Sequence, residues 1–194
     1  MMKSVCVFCG SSYGSSESYA EAAWAMGKSV ADAGYTLVYG GANVGLMGIV
    51  ADAALEAGGE VIGVLPQSLQ EKEIAHDGLS ELHVVSSMHE RKAMMAERSD
   101  AFVSLPGGAG TMEEIFEVWT WGQLGLHKKP CGFLNTNGFY DLLIKFFDMQ
   151  TNEGFMKHMM RDMVQVAETP EALLDLFRAY EPPSTPKWIK KSET

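Results

Sequence analysis

The stretch "AFVSLPGGAGTMEEIFEVWTWGQLG", residues 101–125, sets a short apolar run, a glycine-rich turn and a long helical pattern in direct succession. An apolar run of this length, ended by Pro106 and glycines, reads as a buried strand. From Thr111 onward the apolar residues recur at helical spacing up to Gly125, a residue type that closes helices. Strand, turn and helix in this order make half of a β-α-β unit.

The same succession recurs along the chain. Apolar runs at 4–8, 35–39, 60–65, 82–85, 101–105 and 131–134 predict strands, with 163–167 as a further candidate. Helical patterns occupy 16–34, 45–59, 87–100, 111–125 and 139–154 between them. Alternation of this kind predicts an α/β fold: a single Rossmann-like, doubly wound parallel sheet with helices on both faces. In such sheets ligands sit beyond the carboxyl ends of the strands. The expected organisation is one catalytic domain over 1–180 and a Pro- and Ser-containing tail, "EPPSTPKWIKKSET", over 181–194. The longest unpatterned connection, 66–80, is a candidate lid or binding loop.

Composition narrows the function. The chain has 194 residues, is 46% apolar and carries a formal net charge of −10, so it lacks the basic footprint of a nonspecific nucleic-acid binder. No apolar run approaches the ~20 residues of a membrane span, and the opening "MMKSVCVFCGSS" is too short in apolar residues for a secretory signal. The cytoplasm is the default compartment. Three cysteines, an odd count, give no disulfide framework. Cys6 and Cys9 form a C-x-x-C, but in a strand their side chains point to opposite faces, which does not suit a redox pair. The five histidines show no metal-ligand spacing, so no metal is expected.

Three predicted strands run straight into glycine: at Gly10-Ser11, at Gly40-Gly41 and at 107–110. Each turn precedes a helix and can offer backbone amides and a positive helix end to an anion. Three such turns at one edge of a sheet point to a phosphate. The second spaces its glycines as Gly41, Gly45 and Gly48 rather than G-x-G-x-x-G, and the next strand ends in Leu65-Pro66 with no acid for a ribose hydroxyl. A nicotinamide or flavin dinucleotide is therefore disfavoured. No glycine turn ends in G-K-[ST], which excludes the P-loop.

The helix at 87–100 has Ser87 as a candidate N-cap and places Met88, Arg91, Lys92 and Met95 on one face. Beside glycine turns in an acidic protein, Arg91 and Lys92 are candidates to bind phosphate or substrate, whereas His89 is expected to be exposed. Thr111 and Glu114 fit S/T-x-x-E, a capping box in which the glutamate returns to the N-cap amide. That bond would use amides a phosphate needs. A carboxylate turned toward a sugar carbon that becomes cationic during bond cleavage is the competing assignment.

The motifs "GGANVGLMG" (40–48), "MHERK" (88–92) and "PGGAGTMEE" (106–114), in this order, resemble the Lonely Guy family of cytokinin riboside 5′-monophosphate phosphoribohydrolases, long labelled lysine decarboxylases. The similarity extends to about residue 180. No lysine lies in a setting suited to a pyridoxal phosphate Schiff base. The resemblance implies hydrolysis of the N-glycosidic bond of nucleoside 5′-monophosphates to free base and ribose 5-phosphate, without metal or organic cofactor, by a homodimer. It implies Arg91 and Glu114 as catalytic residues. It further implies Glu73, Met88, Lys92, Gly107, Gly108, Ala109, Gly110, Thr111, Met112, Glu113 and Thr120 as substrate contacts. Ala109 stands where plant members commonly carry a bulkier residue, so plant substrate preference does not transfer directly. From the residues alone two other readings stay open: a nucleotide-binding or carrier module, and an acidic scaffold without a ligand.

Overall fold

The computed structural model describes residues 2–70 and 74–184. Seven strands, β1 (Ser4–Phe8), β2 (Thr36–Tyr39), β3 (Val61–Pro66), β4 (Glu81–Val85), β5 (Ala101–Ser104), β6 (Cys131–Leu134) and β7 (Val164–Ala167), form one sheet in the order β4-β3-β2-β1-β5-β6-β7. Every pairing is parallel. The chain therefore winds outward from β1 in one direction, then returns and winds outward from β5 in the other. The reversal point lies between β1 and β5, whose following helices α1 and α5 go to opposite faces of the sheet.

Among the described residues eight α-helices occur: α1 (Glu17–Asp32), α2 (Gly45–Glu56), α3 (Gln67–Gln70), α4 (Met88–Glu97), α5 (Ala109–Gln123), α6 (Asp141–Asn152), α7 (His158–Arg161) and α8 (Pro170–Arg178). Alternate strand residues face opposite layers, so Val5 and Val7 pack with α1, α2 and α8, while Cys6 and Phe8 pack with α4, α5 and α6. Both sheet faces are thus covered, as parallel sheets require. Cys6 and Cys9 fall into these separate clusters, both buried, and burial pushes their thiols upward.

The structure departs from the sequence reading at several points, among them the short helix α7. The connection at 66–80 is not featureless: it contains α3, and Ala75 forms an antiparallel bridge with Ala42. The chain after β7 forms α8, which the sequence reading did not separate from its surroundings. Its signal was present, because Thr169 accepts from the Ala172 amide at 3.3 Å and Pro170 opens the first turn. Residues 181–184 carry no regular structure.

Candidate active site

The site at the reversal point is built from the turns after β1 and β5. Gly10 donates from its amide to the Pro106 carbonyl at 3.1 Å and accepts from the Leu46 amide at 3.0 Å, which ties these turns to the start of α2. At Gly107 the turns close so tightly that a β-carbon would overlap the Thr111 side chain, with the Gly10 amide 2.9 Å away. Above Gly108 and Gly110 there is open space instead. Gly108 is the N-cap of α5, and the first turn, Ala109, Gly110 and Thr111, leaves its amides without intrahelical partners. Gly108, Ala109 and Gly110 are exposed and Gly107 half-buried, so this helix start faces solvent; Thr111 is buried behind it.

The helix begins earlier than the capping-box reading requires. With Gly108 as N-cap, Thr111 is the third helical residue and Glu114 the sixth, beyond reach of the cap amide. Glu114 instead accepts from Arg91 Nη1 at 2.8 Å. The S-x-x-E signature that does act as a cap lies in α4, where Ser87 accepts from the Glu90 amide at 3.1 Å and Glu90 accepts from the Ser86 amide at 2.8 Å. These bonds fix the start of α4, and the Ser86 hydroxyl, which donates to Glu90 at 2.7 Å, together with the Ser86 amide holds the Glu90 carboxyl below its usual range.

Arg91 points into the protein, only 7% exposed. Its guanidinium donates through Nε to the Val64 carbonyl at 3.0 Å and through Nη2 to the Gly40 carbonyl at 3.3 Å, so the ends of β2 and β3 seat it from below. Gly40 is required at this point because a β-carbon would collide with Nη2 and with the Met47 methyl. Glu114 is nearly as buried, at 12% side-chain exposure. Burial pushes its carboxyl above the usual range; the Arg91 charge opposes this, and neighbouring Glu113 adds to it. Its Oε1 is taken by Arg91, and Oε2 accepts no hydrogen bond from the described residues.

Lys92, the next residue, is also buried and lies 2.5 Å from Glu113 Oε1 and 3.0 Å from Glu117 Oε2. Burial draws its ammonium down, but the two carboxylates outweigh this and raise it above the ordinary lysine value. Helix α4 thus presents two cations to three acids of α5, and Glu117 is a member of the cluster that sequence reading missed. Its signal was the spacing of Glu113, Glu117 and Thr120 along one helical stripe.

The other sequence candidates distribute as follows. Met88 opens α4 and is 45% exposed; Met112 is half-buried among the aromatic residues of the α4/α5 layer. Thr120 is exposed, two turns beyond Glu113. Ser11 is exposed beside Gly10. Gly40 and Gly41 are buried and offer carbonyls, to Arg91 Nη2 and to the His76 amide respectively, rather than open amides. Glu73 lies outside the described residues. His89 is exposed. Among the described residues no three His, Cys, Asp or Glu side chains gather as metal ligands, and no helix is long and apolar enough to cross a membrane.

A Rossmann-like α/β protein with a buried arginine–glutamate pair beside an open helix start at the reversal point is the class that fold and site define. The family described as "Possible lysine decarboxylase" matches residues 47–177. The chain is 50% identical over 178 residues to the cytokinin riboside 5′-monophosphate phosphoribohydrolase of Rhodococcoides fascians, covering 91% of this chain and 90% of that protein. It is 48% identical to cytokinin riboside 5′-monophosphate phosphoribohydrolase LOG of Oryza sativa subsp. japonica, over 92% of this chain and 74% of the relative. The chain belongs to this family, that of the LOG phosphoribohydrolases formerly described as possible lysine decarboxylases. Among solved structures, a molybdenum cofactor carrier protein from Chlamydomonas reinhardtii superposes with a TM-score of 0.69 at 25% identity, over 93% of this chain and 100% of that one. A molybdenum cofactor binding protein from Rippkaea orientalis shares the fold at 23% identity, with a TM-score of 0.70 over 92% and 98% of the two chains.

Proposed function

We propose that this chain hydrolyses the N-glycosidic bond of nucleoside 5′-monophosphates, AMP and N6-prenylated AMP included, releasing free base and ribose 5-phosphate. The observation that carries the reading is the Glu114 carboxylate, buried and held at Oε1 by Arg91, about one turn along the helix from the open amides of 109–111. The 5′-phosphate sits on those amides and the positive end of α5, with Gly107 and Gly108 allowing its approach. Lys92 supplies charge to the same substrate by exchanging a carboxylate of α5 for phosphate. Glu113, Met112, Met88 and Thr120 contact sugar or base, with Glu73 from the 66–80 segment.

As the base leaves, the C1′–N bond breaks with its electron pair on nitrogen and C1′ takes on oxocarbenium character. The free oxygen of Glu114 faces this carbon, stabilises its charge and accepts one proton of the attacking water, whose oxygen forms the new bond to C1′, while the departing nitrogen takes up a proton from solvent to give the neutral base. Arg91 keeps Glu114 oriented and offsets charge on the leaving side. The site acts as a homodimer; exposed Leu124 and Leu126 beyond α5 suit such an interface, and light scattering after gel filtration measures it.

The test is incubation with AMP, other nucleoside monophosphates, isopentenyl-AMP and the matching unphosphorylated nucleosides, with chromatography for free base and ribose 5-phosphate. Release from monophosphates alone is expected; equal release from nucleosides contradicts the role given to the α5 amides. A second reading, a carrier that binds nucleotide-like ligands without cleaving them, is favoured by the likeness to the Chlamydomonas molybdenum cofactor carrier. It predicts that AMP raises the melting temperature while no base appears on long incubation.

A further inference from the structure

The segment after α3 is bound to the turn after β2 at several points. Asn43 donates from its amide to the Ile74 carbonyl at 2.8 Å, His76 from its amide to the Gly41 carbonyl at 3.0 Å, and Ala42 and Ala75 form the antiparallel bridge. At the centre is the His76 side chain, 7% exposed although chemically polar. Its Nδ1 accepts from the Gly78 amide at 3.0 Å, which leaves the proton on Nε2, and Nε2 donates to Asp52 Oδ1 of α2 at 2.9 Å. The imidazole therefore spans two elements and satisfies both ring nitrogens.

What this staple holds is the seat of Arg91. His76 fixes the Gly41 carbonyl through its own amide, and the adjacent Gly40 carbonyl accepts from Arg91 Nη2. The two bonds join residues 76–78 to α2, so the ring ties this segment to a second element as well as satisfying its own nitrogens. Asp52 is 56% exposed, so its carboxylate reaches inward to this one ring while the rest of it stays in solvent.

We propose that His76, with Asp52, is a positioning residue for the hydrolysis: it pins residues 74–78 onto the β2 turn and so sets the carbonyl that orients the Arg91 guanidinium against Glu114. The proposal rests on the hydrolytic reading above for its kinetic consequence, but not for its geometric one. Loss of the staple frees the turn, lets the guanidinium swing and leaves Glu114 less well aimed. This lowers the rate of the chemical step more than it weakens substrate binding, since the α5 amides are untouched.

The experiment compares wild type with His76→Ala, Asp52→Ala and Asp52→Asn, reading the Arg91 Nε–H signal by ¹H–¹⁵N NMR without ligand, and kcat and KM for AMP. Asp52→Ala guards against a misfolded His76→Ala, because it removes the bond from an exposed side chain. His76→Ala and Asp52→Ala are expected to shift or broaden the Arg91 signal and to lower kcat about tenfold with KM changed less than threefold. Asp52→Asn keeps an acceptor for Nε2–H and is expected to restore both. An unmoved Arg91 signal in both alanine variants overturns the proposal, and so does a moved signal with unchanged kcat. If the wild type releases no base, the hydrolytic reading falls, and the NMR arm alone decides whether His76 positions Arg91.

Discussion

The turn after β2 and the turn after β5 are both glycine-rich, both end a strand, and both lead into a helix, yet they perform opposite tasks. After β2, Gly40 and Gly41 are buried and turn their carbonyls to Arg91 and to the His76 amide. After β5, Gly108 and Gly110 face open space and the amides of the α5 start are free. One turn is a socket for a cation; the other, on the function proposed above, receives an anion. Glycine spacing alone does not distinguish them, because both need the missing side chain, one for a guanidinium from within the protein and the other for a ligand from outside.

The comparison is open to direct tests. The largest effect is expected for Arg91→Ala, which leaves the Glu114 carboxylate buried without its partner and costs about 3–5 kcal/mol in denaturant unfolding. A loss below about 1 kcal/mol would mean that Glu114 turns out to solvent. Next comes the paired substitution of the two turns. Gly40→Ala places a methyl against Arg91 Nη2 and the Met47 methyl, and is expected to cost about 1–3 kcal/mol and to depress kcat. Gly108→Ala has room, so stability stays within about 0.5 kcal/mol and only KM for monophosphates rises. Equal destabilisation by both would erase the distinction drawn between the turns.

The Glu114 pKa gives a smaller, pH-dependent effect. Burial raises it, so the folded state holds this proton more tightly than the unfolded chain does. The stability from that proton is present below the unfolded carboxyl pKa and is lost as pH rises through the folded one. Under the mechanism proposed above activity has the reverse dependence, because there the ionised carboxylate is the working form; the acid limb of kcat against pH should lie above the ordinary glutamate range. A limb at the ordinary value would show that Arg91 fully offsets the burial. Smallest is Lys92→Ala, expected to raise KM for AMP roughly tenfold while leaving kcat within a fewfold of wild type, as measured by steady-state kinetics.

The fold was almost fully legible, because each β-α-β unit announces itself by a change from a short apolar run to helical spacing. The run 163–167 was readable as β7 on the same ground, whereas α8 required reading Thr169-Pro170 as a helix start. The site was legible in its motifs but not in its connections. The sequence pattern at 111–114 suited a capping box, yet Gly108 and Gly110 let the helix begin earlier, and a buried guanidinium from α4 is a stronger partner for Glu114 than a distant amide. Equally, no local pattern tells that His76, within an unpatterned connection, closes onto Asp52, because that bond joins residues 24 apart in sequence and exists only once α2 and the β2 turn have packed.

The central claim is that Glu114 performs the chemistry and does not merely balance Arg91. Glu114→Gln keeps an oxygen for Arg91 Nη1 and removes only the negative charge. Single-turnover release of base from AMP, measured with enzyme in excess alongside AMP affinity by calorimetry, separates the two roles. The account predicts a rate at least about a hundredfold below wild type with affinity changed less than about threefold. A folded Glu114→Gln protein that binds AMP and releases base at near wild-type rate would contradict it.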